Sequence, residues 1–432
     1  MNFTTYFIAL VILAGIGTLF WSFFGLVRVI WAHRPSARKA TLHDTAAVVH
    51  KKDVAVLIAA HNESLIIGDT LIQLKKRLRK EQIYLVSDAS RDQTAEIALS
   101  AGVHVFDLEK NRGKAGALVA GLKHFNLTDR YKVILILDAD THLSNTYFKT
   151  GLPLFNSAEV VAVAGSAQTF SDDTPGGWLG KFLLAYRQRV YVISQILIKY
   201  GQAAQNVNAV LIVPGFASMY RSSALKSINI AAPGLIIEDY NMTFDVHTKK
   251  LGKIAFHPKK ALAYTQDPDN LKDYIRQTYR WSLGFWQTVA KHKLTRNAFG
   301  GAVIFSIFDQ LMTNLILCGY IILIAIFVFL SASQIPFNPD IAKSLPILII
   351  SVCLYDYILT VIAVIYLKRY RYLVFGVLFP LMRIIEFWTF VKVFTSIMRH
   401  VPSNGKWKSP LRRPSTPLQP LSKENTPPQV VE

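Results

Sequence analysis

From Met1 to Val27 the sequence contains no Lys, Arg, Asp or Glu, and residues 6–30 are almost wholly apolar. About 20 such residues suffice to cross a bilayer as a helix. The positive charge comes after this run, in Arg28, Arg34, Arg38 and Lys39, whereas a cleaved signal peptide carries it before. The positive-inside tendency therefore predicts a transmembrane helix over residues 1–31, with the following chain in the cytoplasm. Residues 311–330 and 345–367 read as two more spans. The link between them, with Pro336, Asn338, Pro339, Asp340 and the single cation Lys343, reads as external, and Lys368, Arg369 and Arg371 bring the chain back inside. A last apolar stretch, 372–398, carries Pro380, Arg383, Glu386 and Lys392 and precedes a basic tail with Lys406, Lys408, Arg412 and Arg413. A crossing there would put that tail outside, so a re-entrant or interfacial element is expected. Residues 302–398 together form a C-terminal membrane region, and the Pro-rich polar segment 402–432 is expected to be disordered.

Composition fits this outline. Of 432 residues, 51% are apolar and only 18% charged, against roughly 25% charged in an ordinary soluble domain. Lys and Arg number 48 against 28 Asp and Glu, a formal charge of +20, which suits nucleic acid, anionic lipid or a nucleotide-bearing substrate. Much of that excess adjoins the apolar spans, where it orients them and meets anionic lipid. The lipid bilayer, and no nucleic acid, is therefore expected as a partner. Cys318 and Cys353 stand alone in apolar runs; this excludes a disulfide scaffold or a Cys-based zinc site, and both read as buried core thiols.

Between residues 48 and 265 the pattern changes. Short apolar runs at 54–59, 83–86, 103–106, 133–137 and 160–164 read as buried strands, and helical periodicity separates them at 65–79, 94–101 and 114–124. Strand alternating with helix predicts an α/β domain, a mostly parallel Rossmann-like sheet with helices on both faces. Such sheets bind ligands at the carboxyl ends of their strands. Polar residues collect there: His61-Asn62-Glu63 after the first strand, Asp88 after the second, and Asp138-Ala139-Asp140 after a later one.

Two carboxylates one residue apart at a strand end can converge on Mg²⁺ or Mn²⁺, with phosphate oxygens completing the shell; a solvated turn is the other reading. Asn111-Arg112-Gly113-Lys114-Ala115-Gly116 opens a helix, where free amides and Lys114 favour phosphate; taken by themselves, the same residues read first as an ordinary loop-to-helix junction with a solvated lysine. Glu238-Asp239 precedes a helix expected over 240–250, so Asp239 reads either as a general base or as a helix N-cap. Residues 268–297 hold an amphipathic helix, expected over 271–292, whose Trp281, Leu283, Phe285 and Trp286 stand beside Lys272, Arg276, Arg280 and Lys291. It reads as lying on the cytoplasmic membrane face.

Taken in order, Ala60-His61-Asn62-Glu63, Ser87-Asp88-Ala89-Ser90-Arg91-Asp92, residues 111–118, Asp138-Ala139-Asp140, Glu238-Asp239 and Gln277-x-x-Arg280-Trp281 resemble family 2 glycosyltransferases. The similarity is to their membrane-embedded processive branch, the cellulose, chitin, hyaluronan and poly-N-acetylglucosamine synthases, and covers about residues 50–290. The resemblance implies a type A glycosyltransferase domain inserted between transmembrane helices of the inner or plasma membrane. It implies an inverting, metal-dependent transfer from a UDP-sugar, UDP-N-acetylglucosamine best, to a growing β-linked polysaccharide, with Mg²⁺ or Mn²⁺ as cofactor. His61 and Glu63 would then border uracil and ribose, and Asp88 would bond the uracil. Lys114 would approach the diphosphate, Asp138 would contact the nucleotide and the metal, and Asp140 would hold the metal. Asp239 matches the catalytic base, while Gln277, Arg280, Trp281 and Glu238 would serve the diphosphate and acceptor. Residues 215–221 resemble the family's acceptor-side loop.

The sequence has no gating motif of the Phe-x-Val-Thr type found in the cellulose branch, and fewer spans than cellulose synthases. That count leaves export, and an accessory membrane subunit, open. A lipid acceptor (ceramide, diacylglycerol or polyprenyl phosphate) is the alternative to polysaccharide. Asp309 and Asp356 are intramembrane acids: Asp356 either lines a sugar path through the bilayer or pairs with Arg383.

Overall fold

The computed structural model describes residues 15–32, 48–170, 177–335 and 339–399. The predicted strands form, as β1 (Val54–Ala60), β2 (Ile83–Ser87), β3 (His104–Asp107), β4 (Val133–Asp138) and β6 (Val160–Val163). Others are β5 (His142–Leu143), β7 (Ser166–Thr169), β8 (Ala217–Arg221), β9 (Lys253–Ala255) and β10 (Leu262–Thr265). The longer helices are α1 (Ile16–Ala32), α2 (Ser64–Lys75), α3 (Thr94–Ser100), α4 (Gly113–His124), α5 (Gly177–Ile193), α6 (Glu238–Thr248), α7 (Leu271–Lys291), α8 (Ala298–Ala332), α9 (Pro339–Leu367) and α10 (Pro380–Met398).

A seven-stranded sheet runs β3-β2-β1-β4-β8-β6-β9, and β5-β10-β7 form a second, three-stranded sheet. In the larger one β8 alone runs antiparallel to both its neighbours. Side chains alternate along β1: Val54, Val56 and Ile58 pack with Ile66, Ile67 and Leu71 of α2, while Ala55 and Leu57 pack with Leu118 and Leu122 of α4 on the other face. A strand apolar on both faces must be covered on both, hence its uninterrupted apolar run. Helix α4 approaches closely because Gly121 has no side chain; a Cβ there would stand 2.6 Å from Val86 Cγ2.

Register places the functional edge. Ala60 of β1 pairs with Ser87 of β2, and Ala59 with Asp138 of β4, so His61, Asp88 and the Asp138–Asp140 turn emerge side by side. Antiparallel β8 starts beside the end of β4, with Leu137 paired to Ala217, and Asp138 N–H donates to Phe216 O at 2.9 Å. Residues 217–221, expected within an acceptor-side loop, are thus a central strand, and only Gly215 and Phe216 reach the edge. Small and polar side chains in Ala-Ser-Met-Tyr-Arg hide a strand whose burial comes from its neighbours.

Among the described residues two helices are long and apolar enough to cross a membrane, Ala298–Ala332 and Ile349–Leu367; the first contains the span expected near 311–330 and the second lies within that expected near 345–367. Helix α1 is a shorter apolar helix, and residues 1–14 of the expected span 1–31 lie outside the described residues, as does the tail 402–432. The 372–398 stretch divides into a short helix, Tyr372–Gly376, and α10; α10 packs on α7. Cys353 is exposed and Cys318 half-buried, so neither is the core thiol expected. They lie on α8 and α9, whose surfaces expose Leu315, Ile322, Phe329, Ile350, Leu354 and Ile365, an apolar area of the kind that meets lipid. Asp309 on α8 accepts from Gly17 N–H of α1 at 3.1 Å. Asp356 takes the pairing alternative: it is buried and bonded to Arg383 and also to Arg189.

Candidate active site

The ends of β1 and β2 are tied together by polar contacts. His61 Nδ1 lies 2.7 Å from the Asp88 carbonyl oxygen, Asn111 Nδ2 donates to the same oxygen at 3.2 Å, and Arg112 N–H donates to Asp88 Oδ1 at 2.7 Å. Both strands leave the sheet through left-handed residues, Asn62 at φ 55° and Ala89 at φ 54°. Asn tolerates that conformation, while for Ala it costs roughly 1 kcal/mol, strain of the kind found at binding sites. Glu63, buried at the start of α2, donates its backbone N–H to Thr94 Oγ1 at 2.8 Å.

Lys114, in the first turn of α4, is the hub of the next layer. Its ammonium stands 2.7 Å from Asp138 Oδ1 and 2.9 Å from Glu238 Oε1, and donates to Gly215 O at 3.4 Å. The lysine therefore meets two carboxylates, where the sequence alone suggested phosphate or solvent. Burial opposes its charge, but Asp138, Glu238 and Asp239 outweigh that and hold its pKa well above the usual lysine value. Burial also works against ionisation of Glu238, yet Lys114 holds that carboxyl below the usual range. Asp138 goes the other way: burial, then the Asp140 charge, push it up against the pull of Lys114.

Glu238 and Asp239 occupy the first turn of α6, and the N-cap position belongs to Ile237 with no side-chain cap bond. The capping alternative for Asp239 therefore fails; the helix begins at Glu238, two residues earlier than the expected start at 240. Asp239 is instead pushed up to about 7, first by burial and then by the adjacent Glu238 charge, with Lys114 and the Gly215 amide pulling it down. A carboxylate poised near neutrality beside a cavity suits proton transfer.

Gln277, Arg280 and Trp281 are spaced three and four apart on α7, so they share a face. The helix starts at Asn270, whose side chain accepts from Asp273 N–H at 2.9 Å. One cavity of about 1440 Å³ takes in the predicted residues from every segment: His61, Glu63, Asp88, Lys114, Asp138, Asp140, Glu238, Asp239, Gln277, Arg280 and Trp281. It is larger than the roughly 300–1,000 Å³ of an ordinary small-ligand pocket. Sequence reasoning missed Lys199, Asp267 and Asp269, which also line it. Lys199 sits in an apolar run that conceals it, whereas Asp267-Pro268-Asp269, just ahead of α7, was a visible acidic signal.

Residues 55–228 match the family described as glycosyl transferase family 2. This segment is a family 2 glycosyltransferase domain. The chain is similar to poly-β-1,6-N-acetyl-D-glucosamine synthases from Staphylococcus epidermidis (29% identity over 257 residues, 56% of this chain and 58% of the relative). Similarity extends to the Staphylococcus aureus strain COL protein of that name (28% over 238 residues, 54% of each). The chain thus spans little more than half the length of these curated relatives. Among solved structures it resembles a mannosyltransferase from Pyrobaculum calidifontis in complex with GDP-mannose and Mn²⁺. The TM-score is 0.56 at 15% identity, covering 87% of this chain and 97% of the other, a likeness of fold.

The glycosyltransferase domain can be tested for a fit to a divalent cation. Among the described residues no three His, Cys, Asp or Glu side chains form a complete cage. Mg²⁺ or Mn²⁺, however, commonly takes one or two carboxylates and completes its shell with phosphate and water. Asp138 and Asp140 supply two, both on the cavity wall and one residue apart, with Asp138 Oδ1 already paired to Lys114 at 2.7 Å. The donor set fits.

Gly215 is required by contact. A Cβ there would come within 2.2 Å of Asp239 Oδ1 and 3.0 Å of Lys114 Nζ. Gly215→Ala is expected to lower turnover of the domain about 100-fold by displacing Asp239 by a fraction of an ångström to an ångström, with little change in melting temperature. Parallel turnover and thermal-melt measurements check this; wild-type turnover would show that Asp239 need not stand where it does.

Proposed function

We propose that the chain is a membrane-anchored, inverting glycosyltransferase that moves a sugar from a UDP-sugar, UDP-N-acetylglucosamine best, onto a growing β-linked polysaccharide. The catalytic domain (48–265) would face the cytoplasm, with 1–31 and 302–398 in the inner or plasma membrane and 268–297 at its surface. The observation that carries the reading is the half-buried Asp239 carboxylate, its Oδ1 enclosed beside Gly215 and Lys114, in a cavity shared with Arg280 and Trp281.

Asp239 accepts the proton of an acceptor hydroxyl as its oxygen attacks the anomeric carbon from the face opposite UDP. The new C–O bond forms while the bond to the diphosphate breaks, and UDP departs with the electron pair. One such displacement converts an α-linked donor into a β-linkage without a covalent intermediate. Arg280 offers a guanidinium fork to the departing charge, and Lys114 holds Asp138 and Glu238 beside it. His61, Glu63 and Asp88 hold the nucleoside, and Gln277 and Trp281 hold the acceptor. Asp138 and Asp140 would hold a Mg²⁺ or Mn²⁺ ion, which supplies charge stabilisation to a diphosphate when bound.

The test is UDP release by purified protein in nanodiscs, across a panel of UDP-sugars and GDP-mannose, with Mg²⁺, Mn²⁺ or chelator, and with products sized by gel and mass spectrometry. A high-molecular-weight β-linked product from UDP-N-acetylglucosamine, lost on chelation, is expected. One sugar on a lipid would move the protein to the glycolipid alternative, and turnover of GDP-mannose alone would overturn the donor assignment.

A further inference from the structure

Helix α5 carries a buried arginine that sequence motifs did not single out. Arg187 is 1% exposed, and its partners come from three parts of the chain. Its Nε donates to Asp267 Oδ1 at 3.3 Å, and its Nη2 donates to Tyr191 OH and to Gln277 Oε1, each at 2.9 Å. Its Cζ lies 4.4 Å from the centroid of the Trp281 ring. Tyr191 OH in turn donates to Asp267 Oδ1 at 2.9 Å. Asp267, Tyr191, Gln277 and Trp281 all line the large cavity, while Arg187 stands behind them.

We infer that Arg187 is a positioning residue for the acceptor side of the site, acting through Gln277 and Trp281. This rests on the glycosyltransfer reading above. Burying a guanidinium is costly unless a carboxylate and further hydrogen bonds compensate it, and here Asp267, Tyr191 and Gln277 do so. The same planar group that bonds the Gln277 amide covers one face of the Trp281 ring, which fixes both side chains of α7 to α5. Trp281 also lines the large cavity, where its indole would stack on a sugar ring. An ammonium could replace the charge but neither the fork nor the stack, so the geometry asks for arginine.

The experiment compares wild type, Arg187→Lys and Tyr191→Phe, the last removing one bond from the cluster with less risk to folding. Three quantities are read on the full chain in nanodiscs: UDP affinity, kcat and KM for transfer to a sugar acceptor, and the ratio of UDP-sugar hydrolysis to transfer. Arg187→Lys is expected to leave UDP affinity unchanged, lower transfer kcat/KM about 10- to 100-fold, and shift the ratio toward hydrolysis. Tyr191→Phe should shift it the same way by less, and that shift alone sustains the inference if Arg187→Lys fails to fold. An unchanged ratio in both variants, or UDP affinity falling in step with transfer, would make Arg187 a support of the fold and overturn the inference. Absence of turnover by wild type with every donor would instead remove the parent reading, a result visible without any variant.

Discussion

Asp239→Asn is expected to lower sugar transfer about 1,000-fold or more, while UDP affinity stays within about twofold of wild type. The substitution keeps the shape of the side chain and removes its ability to take a proton. The nucleotide end should survive because its contacts do not run through Asp239: Arg112 still donates to Asp88, and Lys114 keeps Asp138 and Glu238 as partners. The pH profile supplies a second signature. A base works only when ionised, and burial with the Glu238 charge lifts Asp239 to about 7, so wild-type transfer should rise with pH through about 7 and level off above it. The residual activity of Asp239→Asn should lack that limb. Steady-state rates across pH and a calorimetric titration with UDP check both parts. Loss of UDP binding in the variant would assign Asp239 a structural role at the start of α6.

The parts of this fold that could be read from sequence are those fixed by local pattern. Strands β1, β2, β4 and β6 are runs apolar on both faces, β3 is a short edge strand with His104 and Asp107 exposed, and the polar residues that follow β1, β2 and β4 fall at the functional edge because parallel register aligns strand ends. What could not be read depends on partners distant in the chain. Strand β8 has the composition of a loop and is a strand because β4 and β6 flank it. Arg187 sits in Tyr-Arg-Gln-Arg, which alone suggests a solvated face; its carboxylate partner is 80 residues away. Lys114 stands at a helix N-terminus, where phosphate is the common expectation, yet two carboxylates from β4 and α6 reach it first. Glu238-Asp239 carried the opposite ambiguity, since a capping acid and a catalytic acid look alike until the helix start is known.

Asp356→Ala is expected to destabilise the protein by about 3–5 kcal/mol, the cost of leaving a buried charge without its partner. Asp356 lies in the apolar helix α9 and is 1% exposed; its Oδ2 is 2.5 Å from Arg189 Nη1 of α5, and its Oδ1 is 3.1 Å from Arg383 of α10. Arg189 Nη1 also reaches the Asp356 carbonyl at 3.1 Å. The carboxylate thus joins three helices, and this is a different arrangement from a residue lining a sugar path, where it would face open volume. Removing it strands Arg189, itself 5% exposed, while Arg383, with 23% of its side chain exposed, can turn to water. The double variant Asp356→Leu with Arg189→Met should therefore cost less than Asp356→Ala alone, because it removes both ends of the buried pair; contacting residues are where such non-additivity arises. Thermal unfolding in detergent across the single and double variants reads the coupling. Equal losses in single and double variants would deny the pair its structural role. An Asp356→Asn protein of wild-type stability that makes shorter polymer would return the residue to the sugar path.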